Sequence, residues 1–207
     1  MEDVLDVYQR PLDADRPVVC LDEKSVQLTA DAREPLPPAP GRPARADYEY
    51  VRHGTANVFV AFEPLANWRR LKTTERRTKL DFAAFIKELL DGRYANAEKV
   101  LLVMDNLNTH TPASLYEAFD PATAKRLTDR LEIHPTPKHG SWLNMAEIEL
   151  SVLGRRLPDR IEDIHALRRT TRAQERERNA AKNGANWRFT TADARIKLKR
   201  LYPSKEL

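Results

Sequence analysis

Asp22, Asp105 and Glu147 are the residues of this sequence whose types and settings point to chemistry. Asp105 ends an apolar run, Val100-Leu101-Leu102-Val103-Met104, and Asp22 ends another, Val18-Val19-Cys20-Leu21. An apolar run closed by a carboxylate describes a buried strand that delivers an acid to the carboxyl edge of a sheet. That edge is where open α/β sheets bind their ligands. A helix beginning near Asn144 would carry Glu147 and Glu149 in its first turns. Two strand-end aspartates and a helix glutamate make a candidate divalent-metal site, because hard cations take several carboxylate oxygens. Each acid alone reads as an ordinary strand-end or helix-start residue, so the combination carries the argument.

Positioning these acids requires a sheet. Residues 17–21 read as a first strand, resuming near 25–28. Residues 34–43 hold five prolines in ten positions, which fits an extended surface loop and neither helix nor central strand. Residues 48–51 and 56–63 are β-rich, and Arg52-His53-Gly54-Thr55 between them predicts the turn of an antiparallel hairpin. Residues 68–79 carry Arg69, Arg70, Lys72, Arg76, Arg77 and Lys79 against Glu75 alone. Phe82, Phe85, Ile86, Leu89 and Leu90 then define one apolar helical face, with Gly92 just past its end. The strand ending at Asp105 follows, then short helices over 114–119 and 122–127, a strand over 131–134 and the helix of Glu147. This order predicts an α/β fold: a ribonuclease-H-like mixed five-stranded sheet with helices on both faces. Residues 160–182 are helical in composition, Asn183-Gly184 breaks them, and 191–201 predict a last helix in a basic helical C-terminal tail. The expected divisions are a polar lead-in over 1–16, a catalytic domain over 17–157 and an extension over 158–207.

Hydrophobic content of 41% and charged content of 32% describe a polar globular chain. No run approaches the ~20 apolar residues of a membrane span, and the acidic start lacks a signal peptide's regions. The lone Cys20 excludes an internal disulfide and a Cys-based zinc site; it predicts a buried thiol and a reducing, cytoplasmic setting. The net charge of +4 hides an asymmetry: residues 1–154 hold 20 Lys/Arg and 24 Asp/Glu, whereas 155–207 hold 15 and 7. A slightly acidic body followed by a basic tail fits a polyanionic partner. A solvated Arg-rich helix would give the same count.

The wording around the acids is specific. Leu-Val-Met-Asp-Asn-Leu-Asn-Thr-His over 102–110 and His-Gly-Ser-Trp-Leu-Asn-Met-Ala-Glu-Ile-Glu over 139–149, with Leu21-Asp22-Glu23, resemble the Asp-Asp-Glu (DDE) catalytic domain of mariner-like transposases. They resemble most the bacterial insertion-sequence branch of that superfamily. The likeness spans about residues 17–157 and continues into 186–195. Two departures stand out. The 41 residues between Asp105 and Glu147 exceed the superfamily's usual spacing, implying an insertion around 117–129. Met145 also replaces the usual proline after Asn144.

The resemblance implies an enzyme that cleaves DNA strands at transposon ends, generates a 3′-hydroxyl and joins it to target DNA at a TA dinucleotide. It implies two Mg²⁺ (or Mn²⁺) ions, bridged by Asp22, with Asp105 on one and Glu147 on the other. Such a pair activates the attacking oxygen and stabilises the leaving one. DNA is the implied partner, at the nucleoid of the cytoplasm, and a homodimer is left open. Family members carry an N-terminal helix-turn-helix region that binds the ends; here 21 residues precede the first acid. The expectation is therefore a catalytic domain alone or a truncated reading frame. Two other functions fit the same residues: a non-catalytic nucleic-acid-binding fragment of a transposase, and a ribonuclease-H-like nuclease without transposition.

Around the acids the readings divide. If Ile148 and Val152 form the core stripe of the helix, Glu147 and Glu149 flank it about 100° to either side, and only the family motif favours Glu147. Glu23 points to the opposite face if the strand persists past Asp22. Asn106, His110 and Asn144 are supporting candidates, with a helix cap or a packed imidazole as the plain alternative for the first two. Lys138, His139 and Trp142 lie in the loop before the helix as DNA contacts; Trp142 could stack on a base or be buried. Arg155 and Arg156 are better placed for phosphates than the basic cluster of 69–77.

Overall fold

The computed structural model describes residues 1–43, 48–105 and 111–202. Five strands, β1 (Val18–Asp31), β2 (Tyr50–Glu63), β3 (Trp68–Thr74), β4 (Val100–Met104) and β5 (Leu131–Pro135), form one sheet in the order β3-β2-β1-β4-β5. β2 pairs antiparallel with both β1 and β3, while β4 pairs parallel with both β1 and β5. This is the mixed sheet that the element order predicted.

Alternation along the strands builds two cores. Val19, Leu21, Phe59, Ala61, Leu102 and Met104 face α2 (Lys79–Asp91), α3 (Ala113–Ala118) and α4 (Pro121–Asp129). Val18, Cys20, Val58, Val60, Phe62, Leu101 and Val103 face α1 (Glu2–Tyr8), α5 (Ala146–Arg156), α6 (Ile164–Ala180) and α7 (Thr191–Lys197). The α2 stripe packs as its spacing required, behind a Thr78–Asp81 capping box. Burial pushes the Cys20 thiol up to about 12, which leaves it inert. Among the described residues no helix is long and apolar enough to cross a membrane.

The hairpin is not where the turn signal put it. Residues 50–63 are one strand, and its true partners are β1 and β3. The register between β1 and β2 shifts from Gln27↔Thr55 to Thr29↔Arg52, so two residues of β2 oppose Leu28. One of them is Gly54 at φ +95°. A β-bulge asks for the same residue as a turn, and here the bulge won. The loop of residues 34–43 is exposed, as its prolines required.

Strand β3 lies in the stretch noted only for its charge. Its inward positions include Arg69, fully buried, and Leu71, so a charge occupies a place where alternation needed an apolar residue. The free edge of β3 is covered by α6 through its side chains. Glu175 Oε2 accepts from Leu71 N (2.6 Å), and Asn179 both accepts from Arg69 N and donates to Arg69 O (2.9 Å each). Thr171 meets Thr73 hydroxyl to hydroxyl at 3.1 Å. Four residues of helix advance about 6 Å and two of strand about 6.8 Å, so positions 171, 175 and 179 keep step with 73, 71 and 69. An edge strand needs such cover to avoid pairing with another chain.

The segment expected as a lead-in forms α1, whose Val4, Leu5, Val7 and Tyr8 are buried. Glu2 holds Arg195 at 2.7 Å and Asp6 accepts from Thr191 at 2.6 Å, so α1 and α7 are fastened together.

Candidate active site

Strand register brings the two aspartates together. The parallel pairs Val18↔Leu101 through Leu21↔Met104 leave Asp22 and Asp105 as the next neighbours on adjacent strands, about 4.8 Å apart in backbone spacing. Cys20 and Val103, two residues before each acid, face the α5 side of the sheet. Glu23 falls on the other face, as expected, where it pairs with Arg77 at 3.3 Å.

Asn144 fastens α5 to this end of the sheet. Its Nδ2 donates to Leu21 O at 2.8 Å and to Asp22 Oδ2 at 3.5 Å, while its Oδ1 accepts from Ala146 N at 3.1 Å. Met145 has a use for not being proline: its N–H donates to the Tyr8 hydroxyl at 3.3 Å, and that hydroxyl donates to Leu143 O at 2.7 Å. Thr136, buried beyond β5, donates to Asp105 Oδ1 at 2.9 Å. Sequence reading passed over Thr136 and Tyr8, because neither type nor spacing marks a residue that acts through another's backbone or carboxylate.

Asp22 is 8% exposed. Burial, and then repulsion from Asp105, Glu147 and Glu23, push its carboxyl up to about 7, against the Glu23 N–H that favours its charge. Asp105 and Glu147 are thus close enough to act on Asp22 electrostatically. Among the described residues, however, no three His, Cys, Asp or Glu side chains are closed into a coordination shell. The arrangement is an open end of a sheet with negative charge in excess. Its donors are all carboxylate oxygens, which suits a hard divalent ion that retains waters.

The rivalry on α5 resolves against the expected stripe. Ile148 is 43% exposed, and the buried positions are Ala146, Glu149, Leu150 and Leu153. Glu149, not Ile148, occupies the core side because two guanidiniums, Arg69 and Arg178, neutralise it there. Glu147 is left exposed at the start of the helix.

The remaining candidates scatter. Lys138 and His139 are exposed in the turn before α5, with His139 at φ +62°. Gly140 closes that turn, and a Cβ there would meet Pro137 O at 2.9 Å. Trp142 is half-exposed: its ring stacks on Trp187 at 6.3 Å and meets the edge of Phe189 at 6.0 Å. Arg155 and Arg156 are eight and nine residues past Glu147, about 12 Å along the helix. Arg155 donates to Ser151 and Arg156 pairs with Glu177 at 2.8 Å. In the 69–77 cluster, Arg69, Arg70, Lys72 and Arg77 are all paired with acids of the fold. Asn106 and His110 lie outside the described residues.

A family profile described as "DDE superfamily endonuclease" matches residues 17–168. Among solved structures, the chain is similar to a Mos1 transposase paired-end complex with left transposon end, at TM-score 0.58 and 16% identity, covering 86% of this chain and 54% of that one. It is similar to the Mos1 strand transfer complex at TM-score 0.56 and 18% identity, covering 87% and 51%. A Mos1 mariner paired-end complex with Mn gives 0.55 and 18%, covering 86% and 54%. These likenesses concern the fold, and the chain spans about half the length of the structures it matches. A search among curated proteins found no match.

Proposed function

Because the chain belongs to the DDE superfamily endonucleases, we propose that it is the catalytic part of a transposase, cleaving DNA strands and transferring them to target DNA. The observation that carries this reading is the parallel register that sets Asp22 beside Asp105, with Asn144 tying the helix of Glu147 to the same strand end. The branch would be that of bacterial insertion sequences, acting on transposon ends and a TA-containing target at the nucleoid, with a homodimer as the working unit. The catalytic unit would span residues 17–157, with 158–207 as its basic extension.

Asp22, Asp105 and Glu147 would hold two Mg²⁺ or Mn²⁺ ions, Asp22 serving both. Such ions supply Lewis acidity to the phosphodiester and lower the cost of deprotonating the attacking water or 3′-hydroxyl. The chain's own residues prepare this. Thr136 fixes the oxygen of Asp105 that it binds. Asn144 holds Asp22 by one oxygen while anchoring the helix start. Repulsion among the acids is relieved when cations arrive, so charge crowding favours loading. Lys138, His139 and Trp142 on the adjoining loop would grip the flanking strand, and Arg155 and Arg156 would meet a phosphate further along. Asn106 and His110, which follow Asp105 in the sequence, would support the site.

Nicking of supercoiled plasmid in Mn²⁺ tests the reading. The parent should convert supercoiled to nicked DNA, and Asp22→Asn or Asp105→Asn should lose at least 100-fold in rate while retaining DNA binding. A folded Asp105→Asn variant that nicks at the parental rate would overturn it.

A further inference from the structure

Glu149 stands two residues beyond Glu147 and is the buried charge of α5. Its carboxylate accepts four hydrogen bonds: from Arg69 Nε at 3.1 Å and Nη2 at 3.3 Å, and from Arg178 Nε at 3.1 Å and Nη2 at 2.8 Å. The three side chains are 0, 4 and 13% exposed for Arg69, Glu149 and Arg178. Arg69 belongs to β3 and Arg178 to α6, so three elements converge on one carboxylate. Arg69 also donates to Asn179 Oδ1 at 3.2 Å and to Asn183 O. The rest of the buried face of α5 is Ala146, Leu150 and Leu153. Apolar contacts of that kind are non-directional, whereas paired guanidinium forks fix both angle and register.

We infer that Arg69, Glu149 and Arg178 are positioning residues for the metal site, setting the rotation and axial placement of α5 and thereby of Glu147. The inference rests on the reading of Glu147 as a metal ligand. Two cations around one anion in a dry site are a poor device for stability alone. Buried ion clusters can be replaced by well-packed apolar residues with no loss of stability. What apolar replacements cannot reproduce is the directionality.

The test uses the full chain and the triple variant Arg69→Met, Glu149→Leu, Arg178→Met. The readouts are the thermal midpoint, Mn²⁺ affinity by calorimetry, and kcat and KM for plasmid nicking. The expected result is a folded protein with a midpoint near the parent's. Its Mn²⁺ affinity should fall about 10-fold or more, the range seen when partners behind a ligand are lost, and kcat should fall with KM for DNA unchanged. Parental affinity and kcat in the folded triple variant would overturn the inference, since the cluster would then be packing only. Should the triple variant not fold, Arg178→Lys keeps the charge but loses the fork. Weakened Mn²⁺ binding there supports the inference, and unchanged binding overturns it. Glu147→Gln is the control: if it binds Mn²⁺ as the parent does, the metal reading itself fails, independently of the cluster.

Discussion

Asn144 Nδ2 lies 2.8 Å from the carbonyl oxygen of Leu21, the residue before Asp22, and its Oδ1 accepts from Ala146, the residue before Glu147. One buried amide therefore spans the strand end that carries one acid and the helix start that carries another. Asn144→Ala would leave both backbone groups without this partner, at a cost of about 1–3 kcal/mol. Mn²⁺ affinity should fall along with stability. Asn144→Asp should be worse in metal-free protein, because a carboxylate cannot donate to Leu21 O and adds charge beside Asp22. Urea unfolding and calorimetry check both variants. An alanine variant with parental stability and affinity would remove Asn144 from the site.

Asp22 should destabilise the metal-free protein. Its folded carboxyl sits near 7, above the ordinary 3.8, so the native state holds a proton that the unfolded chain releases earlier. Stability from this group is full below about pH 4 and is lost as pH rises through about 7. Metal-free parent should therefore lose thermal midpoint between pH 5 and 8 more steeply than Asp22→Asn. Mg²⁺ at pH 8 should raise the parent's midpoint and leave that of Asp22→Asn nearly unchanged. Equal pH slopes in the two proteins would show that the carboxylates are not crowded.

The edge of β3 offers a prediction about solubility. Glu175→Ala with Asn179→Ala strips the side chains that satisfy Leu71 N, Arg69 N and Arg69 O. An uncovered edge is a template for pairing with another chain. The double variant should self-associate in light scattering at concentrations where the parent stays monodisperse, with amide exchange accelerated along residues 68–74. A monodisperse double variant with parental exchange would show that packing alone guards the edge.

The parts of this architecture that the sequence displayed are those governed by apolar periodicity and local turn chemistry. The strands before Asp22 and Asp105, the α2 stripe and the exposed proline loop all follow from neighbours within a few residues. What stayed hidden depends on distant partners. Arg69 and Glu149 occupy core positions only because each neutralises the other across 80 residues of chain, so β3 showed no alternation and α5 showed the wrong stripe. Gly54 signals a turn and a bulge equally until the register of β1 is known. Helix α1 reads as polar until α7 and Leu143 supply its contacts.

DNA binding by this chain should be salt-sensitive and indifferent to sequence. Arg169, Arg172 and Arg176 line an open cleft of about 610 Å³ beside Arg70 on the outer side of α6. Such guanidiniums meet phosphates, and phosphate neutralisation carries no base information and weakens steeply with salt. Discrimination needs side chains at base edges, usually from an element seated in the major groove. The helix before β1 is the seven-residue α1, whose Val4, Leu5, Val7 and Tyr8 are buried against the fold. Arg172→Gln with Arg176→Gln should flatten the slope of log affinity against log salt by about 2 and weaken binding equally for every duplex. Competition between a terminal-repeat duplex and random duplex at two salt concentrations decides the matter. A preference of ~1,000-fold or more, the scale of specific readers, would place end recognition on this chain.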